Sequence, residues 1–542
     1  VVREFLLSIV EETMKETLKD LERLFERGSL SRREFLRRSA ALGLAATLSP
    51  ALMPRRAHAD TPKRGGRLRL GLNGGATSDT LDPGIQLAMM PQTLVYGASG
   101  NSLVEINADG EPVPELAESW ESTPDAKKWI FKLRRGVEFH DGKSMDADDV
   151  IYSLNWHRKE GTKSAAKALV ESIISMKKED KYTIAFEMES GNADFPYTLS
   201  DYHLVVGPKD TDLSKGVFTG AYVIKDFEPG VRAFCTRNPN YFKSDCAWFD
   251  EIEILGINDV NARTNALKTG QIDVMNRCDL KTVHLFKRMP GIQVMRQDGF
   301  KHFTFAMRTD TAPYDNKDIR LALKYAVDRE QLVKTILRGY GRVGNDHPIS
   351  VANRYHASEL PQRQYDPDKA KFHLKKAGLS NTTFKFHAAE AAFKGAVDAG
   401  VLYREQAAKA GITIDVVREP NDGYWSNVWL KKPFCAVFWG GRSTEDMMFS
   451  TAYARGVAWN DTYWDNKRFN ELLVAARAEL DQKKRRGMYV EMQGIVRDDG
   501  GVVVPMFSAD LAAASDKIGH GKLAANWELD GFRAPERWWF KS

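Results

Sequence analysis

Apolar and polar positions alternate along this chain with two different periods. Between Lys128 and Arg134, the residues Trp129, Phe131 and Leu133 alternate with Ile130, Lys132 and Arg134, the two-residue period of a half-buried strand. Arg135-Gly136 breaks the run, Val137 and Phe139 resume it, and Asp141-Gly142 predicts a tight turn. A helix start follows. Asp146 is a good N-cap, Asp149 completes a capping-box-like pair, and Met145 is placed to staple onto Val150. Further strands are predicted at Arg67–Leu72 and Tyr182–Phe186, on both sides of Pro229-Gly230, and after Gly270 through Val274. Gly501–Phe507 reads as a buried strand. The longer period predicts a helix over 321–329 with Ile319, Leu323 and Ala326 on one face, another over 365–379 closed by Gly378, and a third over 469–478.

At 542 residues the chain is too long for one ordinary core, so two or three domains are expected. A content of 43% hydrophobic and 28% charged residues is that of a globular protein. The net charge of +5 sits mostly in the first 59 residues, and the near-neutral remainder offers no footprint for nucleic acid. No apolar run approaches the roughly 18–20 residues of a membrane-crossing helix. The cysteines, Cys235, Cys246, Cys278 and Cys435, show no metal-ligand spacing. Cys235 and Cys246 are candidates to bridge a short loop, with four idle or buried thiols as the alternative.

The front of the chain reads as an address. Ser31-Arg32-Arg33-Glu34-Phe35-Leu36 has the form of a twin-arginine export signal, followed by a mildly apolar segment from Ala40 to Met53. Ala57-His58-Ala59 supplies a signal-peptidase pattern, which sets the expected mature start at Asp60. Phe5 to Phe25 has the spacing of an amphipathic helix, read as an extended n-region or as a mis-assigned start upstream of Met14.

The strings Leu116-Ala-Glu-Ser-Trp120, Leu133-Arg-Arg-Gly-Val-Glu-Phe-His-Asp-Gly142 and Asp148-Asp-Val-Ile-Tyr-Ser153 closely resemble the signature of the extracellular solute-binding proteins of family 5. These are the dipeptide-, oligopeptide- and nickel-binding receptors of ABC importers. The likeness continues through Leu81-Asp-Pro83, Arg237-Asn-Pro-Asn-Tyr241, Gly270-Gln-Ile-Asp273 and the segment from Pro313, and covers about residues 66–510. It implies an α/β fold, periplasmic-binding-protein-like type II, in three lobes with a ligand cleft between lobes I and III. Lobe I is expected at 60–104, 216–299 and 511–542, lobe II at 105–215 and lobe III at 300–510, with a hinge near Gly299 and Ala509. Trp538-Trp539-Phe540 should pack back on lobe I.

The resemblance also implies where cargo sits. Peptide-binding members answer a peptide's amino terminus with an Asp shortly after a Trp. Here Trp439 matches the Trp, but Arg442 stands at the Asp position, with Glu445 and Asp446 just beyond. Arg favours a carboxylate or phosphate, so a changed ligand end is expected. The alternative is a structural Arg442 paired with Glu445, Asp446 or Asp461. Arg308 is a candidate second cation near the lobe I–III crossing. Trp459 and Asn460 are candidates for stacking and hydrogen bonding, and Tyr96 and Ser99 for facing the ligand, with core and cap roles as the alternative. Glu445 and Asp446 read as a solvated helix cap rather than as an acid–base pair. GxSxG, HExxH, P-loop and iron–sulfur patterns do not occur. The expected protein is a monomeric, non-enzymatic periplasmic receptor without cofactor or metal, serving an ABC permease and its ATPase. An exported hydrolase and a chemosensing receptor are the competing readings.

Overall fold

The computed structural model describes residues 61–542, apart from Leu87, Ser380, Asn381 and Asp422. The twin-arginine segment, the cleavage pattern and the Phe5–Phe25 stretch lie outside the described residues. Residues 62–541 form one compact unit built on three main sheets.

The largest sheet has seven strands, in the order Ile292–Gln297, Asp510–Ser515, Val274–Met275, Arg67–Leu72, Glu251–Gly256, Arg232–Arg237 and Tyr222–Glu228. Arg67–Leu72 runs parallel to both of its neighbours, and the other pairings are antiparallel. Leu68, Leu70 and Leu72 are fully buried under it, together with Trp538. The end of the chain returns as predicted, the strand Trp539–Lys541 pairing with Pro62–Lys63. Cys235 and Cys246 share this core as separate buried thiols, so the short bridge considered from sequence is not formed. Burial pushes both thiols up, Cys235 to about 12.

A four-stranded antiparallel sheet holds the signature segment. In Lys128–Leu133 the residues Trp129, Phe131 and Leu133 point into a separate core while Lys128, Ile130 and Lys132 face out. The predicted capping box is present at Ala147–Trp156: the Asp146 carboxylate accepts from the Asp148 amide, and Asp149 accepts from the Asp146 amide at 2.9 Å. Val137–Phe139 does not extend as a strand. It contributes a single bridge, Glu138 to Ser144, around the turn.

The third sheet has six strands, in the order Gly341–Val343, Val502–Ser508, His302–Met307, Phe434–Trp439, Thr383–Ala388 and Thr413–Arg418. The helix predicted over 321–329 is split. Lys317–Tyr325 ends early because Asp328 caps a second helix, Arg329–Thr335, by accepting from the Gln331 amide at 2.9 Å. Ile319, Leu323 and Ala326 are buried as expected. The chain passes from the seven-stranded to the six-stranded sheet through residues 298–301 and returns through Ala509. The two crossings lie side by side, with the Ser508 amide donating to the Lys301 carbonyl at 2.8 Å.

Candidate ligand cleft

The crossings fix one end of the six-stranded sheet. His302 pairs across the ladder with Trp439 on one side and Phe507 on the other, and Phe507 pairs with Arg342. Directly paired residues project from the same face, so Arg342, Phe507, His302 and Trp439 form one row beside the crossings. After Trp439 the chain turns back at Gly440-Gly441. Gly441 has φ 74°, and a Cβ there would lie 2.2 Å from the Phe300 Cβ, so only glycine lets this loop press against the crossing segment.

That turn delivers Arg442. Its backbone carbonyl is held by Asn353 Nδ2 at 3.1 Å, and its Nη1 donates to the Gly441 carbonyl at 2.7 Å. Among the described residues no carboxylate pairs with its guanidinium. The groups acting on it electrostatically are Asp201 and Tyr202, and burial lowers its pKa. The structural partners considered from sequence are occupied elsewhere. Glu445 accepts from the Tyr355 amide at 2.6 Å, Asp446 pairs with Arg477 at 3.1 Å, and Asp461 Oδ2 accepts from Trp429 and Trp439 at 3.2 and 3.3 Å. Glu445 is buried, with its pKa raised to about 7 by desolvation, which corrects the expected solvated cap.

Opposite this loop stand Tyr197–Asp201 and the carboxy-terminal pair Asn526-Trp527. Tyr197, Thr198, Ser200, Asp201, Asn526 and Trp527 line, together with Ser443 and Met447, a narrow cavity of about 10 Å³. Asp201 Oδ1 is held by the His203 amide and ring at 3.0 and 2.7 Å. A larger cavity, about 430 Å³, adjoins the crossings and is lined by residues that include Phe507, Arg342, His347 and His356.

Trp439 and Trp459 come together, 6.2 Å apart between ring centres, and Trp439 leads to Arg442. The other sequence candidates are elsewhere. Asn460 is buried and staples its own loop, donating to the Ala454 and Trp464 carbonyls at 3.2 and 2.7 Å while accepting from Thr462. Arg308 follows the strand His302–Met307, six residues from His302 and roughly 20 Å away, where it pairs with Asp310 and stacks 4.2 Å above the Tyr463 ring. It is therefore not beside the crossing. Tyr96 is fully buried beneath the seven-stranded sheet, 5.1 Å under Arg533, with its hydroxyl on the Ser200 carbonyl at 3.4 Å, and Ser99 is buried as well. Sequence reasoning missed Asp201, Tyr202, His302 and Asn526-Trp527, which belong to no motif and come from distant segments. Glu105, Glu115 and Glu536 converge as a cation site would, but Lys243, Arg533 and Arg537 already neutralise them.

A family model for bacterial extracellular solute-binding proteins, family 5, middle region, matches residues 111–461. Heme-binding protein A of Haemophilus influenzae is 26% identical over 491 residues, covering 83% of this chain and 89% of that protein. The dipeptide-binding protein of Escherichia coli is 24% identical over 512 residues, covering 82% and 93%. Among solved structures, periplasmic binding protein DppA from Helicobacter pylori in complex with the peptide STSA matches with a TM-score of 0.70 and 21% identity, over 89% of this chain and 99% of that one. The fold is the α/β type II fold of periplasmic binding proteins. The protein is thus one of the bacterial extracellular solute-binding proteins of family 5, whose members bind solutes for ABC transport and are not enzymes.

Proposed function

We propose that this receptor captures a small peptide or related organic anion between the Arg442 loop and the wall formed by Tyr197–Asp201 and Asn526-Trp527, and delivers it to an ABC permease. The observation that carries this reading is Arg442, a guanidinium held beside the crossings without a carboxylate partner among the described residues. A buried charge on the cargo needs an opposite charge, since leaving it unpaired costs several kcal/mol, and Arg442 supplies one for a carboxylate in a bidentate grip. Sheet membership supports the lobe limits 60–104, 216–299 and 511–542, 105–215, and 300–510, the last seven-stranded element starting one residue early at Asp510. Cargo contacts from both sides of the crevice favour the closed arrangement, with the crossings near Gly299 and Ala509 as hinge. Export follows the twin-arginine route, and the mature protein acts as a periplasmic monomer.

Calorimetry with dipeptides and their carboxyl-terminal amides tests the reading. The free acids should bind at least tenfold tighter than the amides, and Arg442→Gln should collapse that ratio. An Arg442→Asp variant that holds acids as tightly as the native protein would remove the assignment.

A further inference from the structure

The loop between the strand Gly341–Val343 and the helix Pro367–Lys376 walls the larger cavity, about 430 Å³, with two histidines. His347 is almost completely buried, and neither of its ring nitrogens has a hydrogen-bond partner among the described residues. Buried polar atoms are otherwise met by protein, water or an ion, because leaving them unmatched costs free energy. His356 stands beside it, the ring centres 5.7 Å apart and the planes inclined by 46°. Its Nδ1 lies 3.1 Å from the Ile349 carbonyl, which can only accept. That nitrogen therefore carries the proton, and Nε2 keeps its lone pair.

Both rings are positioned by the backbone that carries them. Asp346, next to His347, pairs with Arg329 and Arg363 at 2.7 and 2.8 Å and accepts from the Val504 amide at 3.1 Å. Pro348 on the other side restricts His347 to extended backbone. His356 is flanked by the Tyr355 amide, which donates to Glu445 at 2.6 Å, and by the Ala357 amide, which donates to Gln493 at 2.9 Å. The acids that line the cavity are already committed. Asp298 pairs with Arg296 and Arg342 at 2.9 and 2.7 Å, and Glu359 with Arg486 at 2.7 Å. Two imidazoles remain uncommitted in a wall whose carboxylates are balanced.

Burial keeps both rings neutral: His347 is pushed down to about 3, and His356 lies below its ordinary value. Neutral imidazole is the form that ligates a metal. An ion about 2.0–2.1 Å from each ligating nitrogen lies about 3.2 Å from each ring centre, so two imidazoles on one ion have centres about 5.2 Å apart at a tetrahedral angle and about 6.4 Å apart at a linear one. The observed 5.7 Å falls between these limits. We propose that His347 and His356 form a binding site for a nitrogen-seeking divalent transition metal, zinc or copper, with water in the cavity filling its remaining positions. The site goes beyond the receptor reading and does not use Arg442. Between its two ligands the chain carries Asn353, which holds the Arg442 carbonyl at 3.1 Å, so the ion ties together the two ends of the loop behind that residue.

The test uses the mature protein without an affinity tag, freed of metal by a chelator and titrated in the absence of peptide. Calorimetry with zinc chloride should show one equivalent bound, and the paramagnetic resonance of copper(II) should show splitting by nitrogen nuclei. His347→Asn and His356→Gln should each weaken zinc binding at least tenfold and reduce that splitting, whereas magnesium and calcium, which seek oxygen ligands, should not displace the zinc. Circular dichroism checks that each variant folds, and if His347→Asn does not, the half-buried His356→Gln decides. Zinc held equally by the native protein and by the variants places the metal elsewhere and overturns the site. Absence of zinc binding by the native protein shows that the two imidazoles are only hydrated, and overturns it as well. Either result leaves the dipeptide calorimetry standing, and failure of that calorimetry overturns the receptor reading alone.

Discussion

The pair Arg485–Asp194 gives the sharpest quantitative test of how the six-stranded unit is joined to the rest of the molecule. Arg485 sits in the helix Gln482–Asp499 beneath the six-stranded sheet, and Asp194 precedes the short helix Phe195–Thr198, whose Phe195 belongs to the core of the four-stranded sheet. They meet at 2.7 Å with side chains only 1% and 9% exposed. Arg485 Nε also donates to the Ala476 carbonyl at 2.9 Å, and its ring neighbours are Tyr355 and Tyr489. Removing the carboxylate leaves the guanidinium buried and uncompensated, a loss of about 3–5 kcal/mol. The next residue on the same helix supplies a control. Arg486 grips Glu359 with two bonds of 2.7 Å, but those side chains are 42% and 46% exposed, so that pair contributes at most about 1 kcal/mol. Urea unfolding of Asp194→Ala and Glu359→Ala should separate them by at least about 2 kcal/mol. A double-mutant cycle with Arg485→Met should return much of the loss, because the charge is then removed along with its partner. Equal effects of the two single variants, within about 0.5 kcal/mol, would show that burial does not set the strength of this contact.

Two further perturbations follow from the cleft. Desolvation raises the Asp461 pKa to about 6, against the hydrogen bonds from Trp429 and Trp439 that lower it. A carboxyl raised above its unfolded value of about 3.9 holds its proton more tightly when folded. Its stabilising contribution is complete below about pH 4 and lost as pH rises through about 6, so tryptophan emission should titrate near pH 6 in the native protein and stay flat in Asp461→Asn. Gly441→Ala combines a positive φ with a Cβ only 2.2 Å from Phe300. It should cost more than about 1 kcal/mol in urea unfolding and weaken binding of carboxylate probes by displacing Arg442, whereas alanine at Gly440, which meets nothing within 4 Å, should do neither.

What could be read from sequence was what is local. The alternation at Trp129, Phe131 and Leu133 predicts a strand because each residue's burial depends only on the two-residue pleat, and the Asp146–Asp149 box is satisfied within one helical turn. Trp439 and Arg442 are separated by a single tight turn, so their neighbourhood also survives folding. Arg308 was misplaced because it lies just past the far end of the strand His302–Met307, and proximity to a crossing in sequence is lost over six extended residues. Tyr96 and Asn460 are polar-tipped residues whose partners, Ser200 and the Ala454 and Trp464 carbonyls, are set by tertiary packing. Asp201 and Trp527 reach the same cavity from segments far apart in the chain, an encounter that no periodicity encodes.

The contacts between the six-stranded unit and the remainder are of two kinds, and the difference bears on how cargo controls the crevice. Some are complete without cargo: Arg485 with Asp194, the Ala193 amide with the Arg477 carbonyl at 2.8 Å, and Arg354 with Glu111 at 3.1 Å. Arg442, by contrast, has no carboxylate partner for its guanidinium among the described residues. A ligand shifts an equilibrium only by its differential affinity for the two states, and moving a population from 1:99 to 99:1 takes about 5.5 kcal/mol. Contacts that form on closure regardless of cargo reduce the share the cargo must supply. Asp194→Asn, which keeps the Asp194 carbonyl that accepts from the Thr198 amide at 2.9 Å, should therefore weaken the affinity for carboxylate probes and enlarge the radius of gyration of the unliganded protein in solution scattering. Arg442→Gln should weaken the affinity while leaving that radius unchanged. A variant pair showing the reverse pattern would mean that the two sets of contacts have exchanged the roles assigned to them.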